Sequence, residues 1–251
     1  MKFVPRALSA TADVSRGKQK WQDWLKGLIG LLVFGGIAWF ILGLISDYAA
    51  ESISESQEAK MFTWLKESPT PAEQPYRDRA EPIFEKLLAA GDLRPLPFYF
   101  SVSPAHEYGP NAFAWPGGGV GVTPELFDLV KTEIGLAFVL AHELGHHEHR
   151  HTLKRLSRGL LWGLIASLAG SAEPTTGSSF LHLGMLANSR AQEAEADAFA
   201  MALVHQAYGT TNGASEFFEI MQAKDGWAFS SFHRTHPLSG DRLEFIQDWI
   251  P

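Results

Sequence analysis

From Leu28 to Ile45 the chain runs through 18 residues without a charge or a strongly polar side chain. At about 1.5 Å per helical residue this run reaches roughly 27 Å, close to the ~30 Å hydrocarbon thickness of a bilayer. It predicts a membrane-crossing helix over residues 27–46. Shorter elements follow. Residues 48–66 read as a helix continuing from the span. Tyr76, Ala80, Ile83, Phe84, Leu87 and Leu88 recur at helical spacing, with Gly91 as the stop signal. Residues 97–103 read as a strand. Two short apolar runs flank Pro116-Gly117-Gly118-Gly119 within 111–122 and predict a hairpin. Thr123 and Pro124 suit the N-cap and first position of a short helix to Val130. Thr132 to about His151 reads as a strong helix, with Ile134, Phe138 and Ala141 on one side. The apolar stretch Gly159–Gly170 is too short to span a bilayer and reads as a buried or interfacial helix. Residues 171–179 read as a loop, 180–207 as a long alanine-rich helix, and 214–224 and 239–249 as shorter helices. Helices, a small sheet and helices again predict an α+β fold, mostly helical, with a small antiparallel-containing sheet.

Charge orients the span. Lys+Arg is 21 and Asp+Glu is 28, for a net charge of −7. Residues 1–26 nevertheless hold six cations (Lys2, Arg6, Arg16, Lys18, Lys20, Lys26) and two anions (Asp13, Asp23), whereas Asp47, Glu51, Glu55 and Glu58 follow the span. The positive-inside rule then places a basic tail, residues 1–26, in the cytoplasm and the chain from 47 onward outside it. In a bacterium this is a single-pass protein of the inner membrane with its folded part on the periplasmic side; the reversed topology is the competing arrangement. A cleavable signal peptide fits less well. Its apolar region is shorter, and Ser46-Asp47-Tyr48-Ala49-Ala50 offers no good small-x-small site. The acidic balance argues against nucleic acid as a partner. With no cysteine in the chain, a disulfide scaffold, a thiolate metal site, a catalytic cysteine and a lipidated N-terminal cysteine are all excluded.

The ten histidines are unevenly placed, five of them within ten residues. His142-Glu143-Leu144-Gly145-His146 is an HExxH motif. Residues four apart share a helix face, so both imidazoles can bind one Zn²⁺ with the glutamate beside the open coordination position. His147-Glu148-His149-Arg150-His151 repeats the motif, turned by about 140°. The first copy follows the apolar run Leu136–Ala141 and has an uncharged middle. The second contains Arg150, precedes Lys154, Arg155 and Arg158, and reads as a solvated polar helix end whose imidazoles suit the C-terminal dipole. The first copy is therefore the candidate. Catalytic zinc needs a third protein ligand. HExxHxxGxxH fails at His149 and Thr152, and HxxEH fails at Gly145, which leaves a carboxylate from a later helix. Ala191–Asp197 offers Glu193 and Asp197 on one face, with Glu195 about 200° away from Glu193. One of these carboxylates can bind the metal while another accepts the N–H of a liganding imidazole. The alternative is a solvated acidic face.

HExxH followed about 50 residues later by ExxxD resembles the gluzincin metallopeptidases. Further motifs resemble family forty-eight, which includes HtpX-type heat-shock proteases and CAAX prenyl proteases. Asn111-Ala112-Phe113-Ala114-Trp115-Pro116-Gly117-Gly118 resembles its edge-strand motif. Arg150-His151, Ser189-Arg190-x-x-Glu193-x-x-x-Asp197 and His236-Pro237-x-x-x-x-Arg242 match its later motifs in order. The resemblance covers residues 75–251 as a zincin-like peptidase domain, joined to the anchor by a helical connector, residues 47–74. It implies one Zn²⁺ per chain held by His142, His146 and Glu193, with Asp197 behind a zinc histidine. It implies Glu143 as general base, His236 as donor to the oxyanion with Arg242 positioning it, and Asn111, Ala112, Phe113 and Ala114 as the strand that receives an extended substrate. His106, His182, His205 and His233 read as surface or core histidines.

The expected function is a membrane-anchored zinc endopeptidase acting on proteins or peptides, in particular misfolded or membrane-associated envelope proteins. The alternative from another class is a metal-stabilised chaperone or binding module with little or no turnover. Segment 153–188 reads equally as a lid, a membrane contact or an oligomer contact.

Overall fold

The computed structural model describes residues 21–103, 109–168, 188–223, 232, 235–237 and 240–251. The expected loop 171–179, the first part of the alanine-rich helix, most of the basic tail, and His106, His182 and His233 lie outside the described residues. The chain divides into two units, residues 1–45 and 46–251. The first unit is formed by most of helix α1 (Trp21–Ser52), 32 residues long. Its most apolar window has a mean hydropathy of 2.6 and is wholly exposed, and among the described residues this is the one helix long and apolar enough to cross a membrane.

The second unit opens with the last turns of α1. Helix α2 (Glu55–Met61) follows, then two 3-10 turns and α3 (Gln74–Ala90). The expected helix over 48–66 is thus interrupted at Ile53, where Ser54 caps α2 through a reciprocal bond with Gln57. The strands are β1 (Tyr99–Val102), β2 (Ala112–Trp115) and β3 (Gly119–Val122). They make one mixed sheet in the order β1-β3-β2. β2 and β3 form the expected antiparallel hairpin, Ala112 opposite Val122 and Trp115 opposite Gly119. β1 runs parallel to β3. Phe100, Val102, Ala112, Val120 and Val122 are all buried and belong to the main core, the period-2 face of a half-covered sheet.

Helices α4 (Pro124–Leu129), α5 (Glu133–Glu148) and α6 (His151–Leu168) come next, followed by α7 (Arg190–Tyr208), α8 (Glu216–Ala223) and α9 (Gly240–Gln247). α5 is the centre of the unit. Every residue from Gly135 to His147 is buried, so the helix is enclosed on all sides rather than amphipathic. α3, the sheet, α7 and α8 pack around it. Its start is fixed twice: Thr132 accepts from Gly135 N, and the Glu216 carboxylate accepts from the Lys131 and Thr132 amides. Its end is a break, because Arg150 adopts φ 57° and α6 departs in a new direction. The single helix expected from Thr132 to His151 therefore stops at Glu148. The N-terminal side of this unit packs on α6 through a small second cluster of Ala50, Phe62, Leu153 and Leu156.

α5 and α7 meet at Gly145. A Cβ added there would lie 3.1 Å from both the Cα and the carbonyl oxygen of Ala196. The glycine is needed for close backbone approach, and the approach brings Glu193 and Asp197 within reach of His142 and His146. Gly145→Val should push the two helices apart and destabilise the fold by about 1–3 kcal/mol through overpacking. Thermal unfolding and a metal titration, both weakened together, would check this; an unchanged metal affinity would show that the close approach is not required.

Candidate active site

Four side chains converge in the interior between α5 and α7. One donor atom from each of His142, His146, Glu193 and His236 lies within 4.8 Å of the others, and all four residues are buried. Helical periodicity explains the first pair, since His142 and His146 are one turn apart on α5. Glu193 comes from the first turn of α7, where Ser189 caps the helix by accepting from Gln192 N while Gln192 returns a bond to Ser189 N. The cap fixes where α7 begins and so which residues face α5. Glu193 stands 3.5 Å from His142 Nε2 and from His146 Nε2, and 3.1 Å from His236 Nδ1. Burial alone would raise its pKa, but His236, His142 and His146 outweigh this and hold the carboxyl well below the usual carboxylate range.

Each α5 imidazole has a partner behind it. His142 Nδ1 lies 2.9 Å from Asp197 Oδ1. Arg242 holds that carboxylate with two donors, Nε to Oδ2 at 2.6 Å and Nη2 to Oδ1 at 2.8 Å. Burial disfavours a charged His142, yet Asp197 and Glu193 outweigh it and raise its pKa to about 10. The field that would keep a proton there would equally keep a cation. His146 is opposite in character: burial, opposed by Glu193, pushes it well below the ordinary histidine value, so its ring is neutral.

The tautomer of His146 is set from both sides. Arg155 Nη1 donates to Asn188 Oδ1 at 2.8 Å, so the Asn188 amide nitrogen faces His146 Nε2 at 3.1 Å as a donor. His146 Nε2 is therefore the lone-pair nitrogen. Its Nδ1 is 3.0 Å from His151 Nδ1, and His151 Nε2 is 3.0 Å from Glu195 Oε2. Only one pattern satisfies the chain: His146 Nδ1 donates to His151, and His151 Nε2 donates to Glu195.

Two residues thus acquire partners that their sequence context does not show. The structure corrects the reading of 147–151 as a solvated helix end. His147 and His151 are buried, because α6 folds back after Arg150 and the sheet covers the other side. His147 Nε2 donates to Gly119 O at 2.9 Å, and burial holds its pKa near 4; it faces the sheet, not the cluster. Glu195, about half exposed, reaches the site through His151. The only sequence signal for either was the Arg150-His151 pair itself.

The remaining expected residues fall as follows. Glu143 is buried, and among the described residues neither of its oxygens accepts a hydrogen bond; His236 Nε2 stands 3.6 Å from Oε1. His236 lies inside the donor group itself rather than to one side of it. Arg242, expected to position the oxyanion donor, is spent mainly on Asp197 and on Glu193 Oε2 at 2.8 Å, and reaches the His-Pro pair through Pro237 O at 3.3 Å. Asn111 is buried, with Oδ1 accepting from Ala112 N at 3.0 Å. Ala112, Phe113 and Ala114 lie on β2, the sheet edge that packs on α5. A small cavity beside Glu143 is lined by Phe138, Phe217, Phe218 and Phe232. His205 lies on α7 with its ring 5.7 Å from that of Trp249, away from the cluster residues.

The donor set fits a metal ion. Buried imidazoles around a buried carboxylate are a costly arrangement unless a cation joins them, and Glu143, a buried carboxylate that accepts no hydrogen bond among the described residues, is rare enough to require an explanation. His151→Phe should lower metal affinity about 10- to 100-fold by releasing the His146 tautomer, and Glu195→Gln, at a half-exposed position, should do less. A chelator competition titration would measure both; equal affinity in all three proteins would remove the relay from the site.

Residues 76–250 match the model of Peptidase family M48. The chain is 33% identical over 175 residues to the mitochondrial metalloendopeptidase OMA1 of Schizosaccharomyces pombe, covering 67% of this chain and 51% of that protein. It is 29% identical over 227 residues to the metalloprotease LoiP of Escherichia coli K12, covering 87% of each, and 30% identical over 174 residues to the E. coli beta-barrel assembly-enhancing protease, covering 63% of this chain and 35% of that protein. The chain thus spans about half the length of the fission-yeast relative. With the family model covering residues 76–250, including the whole donor cluster, the chain belongs to peptidase family M48.

Proposed function

We propose that this protein is a zinc-dependent endopeptidase tethered to a membrane by α1. The observation that carries the reading is the buried Glu143 carboxylate, which accepts no hydrogen bond among the described residues, beside a cluster of three imidazoles and a carboxylate. His142, His146 and Glu193 would hold one Zn²⁺ per chain, with Asp197 orienting His142 and His151 orienting His146. The metal, when bound, supplies Lewis-acid activation of a water and of a scissile carbonyl. Glu143 takes the proton of the attacking water and returns it to the leaving amine, and with no hydrogen bond to its oxygens among the described residues it is free to do so. His236 lies across from Glu143 and is the side chain placed to meet charge developing on the carbonyl oxygen, held near the site by Arg242 through Pro237. The edge strand β2, from Asn111 through Ala114, would receive an extended substrate by main-chain pairing, which reads backbone rather than sequence. Such backbone reading suits unfolded or membrane-associated envelope proteins, and a basic tail before α1 suits a cytoplasmic N-terminus with the peptidase unit on the periplasmic side.

Glu143→Gln should reduce cleavage of unfolded casein by about 10²–10⁴-fold while zinc content and thermal stability stay at the level of the parent chain. Retained cleavage would remove Glu143 from the chemistry, and a parent chain that binds zinc but leaves casein intact even with fresh metal would favour a binding module. A reporter fused after Pro251 should be active only on the extracytoplasmic side; cytoplasmic activity would reverse the topology.

A further inference from the structure

The segment just after the anchor carries a buried carboxylate that the proposed chemistry does not use. Glu58, on α2, is 1% exposed and lies before residue 76, where the family match begins. Its Oε2 accepts from Arg94 Nη2 at 2.9 Å, and its Oε1 accepts from the Gly117 amide at 3.2 Å. Gly117 is in the turn that ends β2 and has φ 92°; a Cβ there would lie 2.7 Å from the Cβ of Phe62, just beyond α2. The turn is therefore seated directly on α2.

The same arginine reaches the metal-binding helix. Arg94 Nη1 donates to His147 O at 2.8 Å, capping a carbonyl at the C-terminal end of α5, and Arg94 N donates to Glu148 Oε2 at 3.0 Å. From the helix, His147 Nε2 donates back to Gly119 O at 2.9 Å. The result is a closed ring: Glu58 to Gly117, along the turn to Gly119, across to His147, through its carbonyl to Arg94, and back to Glu58. Glu55 braces it, accepting from Arg94 Nε at 3.3 Å and from Arg150 Nη2 at 2.7 Å, and Arg150 Nη1 donates to Ile53 O at 2.6 Å. One side of the ring is the end of the strand proposed to bind substrate. The other is the residue next to His146.

We infer that Glu58 and Arg94 are positioning residues for substrate: the membrane-proximal helix α2 sets the spacing between edge strand β2 and the metal-binding turn of α5. This rests on the reading of β2 as the substrate strand. A buried carboxylate is retained where an apolar side chain would pack at lower cost, because only a charged acceptor bonds the strand turn and the arginine together. The ring touches no proposed metal ligand by side chain, so its loss displaces substrate and leaves the metal in place.

The test uses the full chain in detergent, loaded with zinc, with Glu143→Gln in every protein so that a bound peptide is not cut. Fluorescence anisotropy measures the Kd of a labelled, unstructured ten-residue apolar peptide. Adding Glu58→Gln should weaken Kd about tenfold with zinc unchanged, and Glu58→Asp, which keeps the charge, should restore most of it. Arg94→Lys should act in the same direction, because one ammonium cannot reach both Glu58 and His147 O; it is the deciding variant if Glu58→Gln does not accumulate folded. An unchanged Kd with a lowered Tm would overturn the inference and reduce the ring to a brace. A peptide that binds none of the proteins would overturn the strand-addition reading and the inference with it. Binding is scored without turnover, so an inactive parent chain would remove only the proposed hydrolysis.

Discussion

The close crossing of α5 and α7 is the constraint on which the site depends. HExxH on its own supplies two imidazoles and a carboxylate along one helix; the carboxylate that faces both imidazoles, Glu193, has to come from elsewhere in the chain. Gly145 lets the backbone at Ala196 approach without a side chain between them. At that separation Glu193 lies 3.5 Å from both imidazoles and Asp197 lies behind one of them. Everything else in the cluster is arranged around a distance that a single methyl group would disturb.

Once the carboxylates are inside, electrostatics dictates the rest. Glu193 and Asp197 are buried with Arg242 and three imidazoles, a concentration of charge that solvent cannot screen. Each group is therefore tied to a partner that fixes its protonation: Asp197 and Arg242 to each other, His142 to Asp197, and His146 to Asn188 on one nitrogen and His151 on the other. The two ligand-type histidines are held in opposite states, one drawn toward the cation form and one kept neutral. Glu143 is the exception, buried without a hydrogen bond among the described residues, with His236 Nε2 3.6 Å from Oε1.

The outer framework works on the same principle at longer range. α5 is closed at its start by Glu216 from α8 and at its end by Arg94, Arg150 and the segment following the anchor. Packing of Ala50 and Phe62 on α6 makes that segment part of the peptidase unit rather than a spacer. The strand turn and α5 consequently share one set of braces.

Much of this was readable from local pattern. The HExxH spacing, the glycine-rich hairpin turn and the uncharged run from Leu28 to Ile45 each express a periodicity or a backbone preference that neighbours in sequence determine, whereas the start of α7 at the Ser189 cap fell inside the helix expected over 180–207. His147, His151, Glu195 and Glu58 were not readable in this way. A histidine five residues past His142 has the same local surroundings whether it ends in water or against the carbonyl of Gly119, and Glu58 looks like one more acid after a membrane span. The burial of His147, His151 and Glu58, and the partners of His147, Glu195 and Glu58, come from residues tens of positions away, brought in by the reversal at Arg150 and the return of α7. Sequence alone determined which donors exist and which face of a helix they share, because 3.6 residues per turn is a property of the backbone. Only the tertiary structure decided which of them meet, because that depends on how closely distant segments pack.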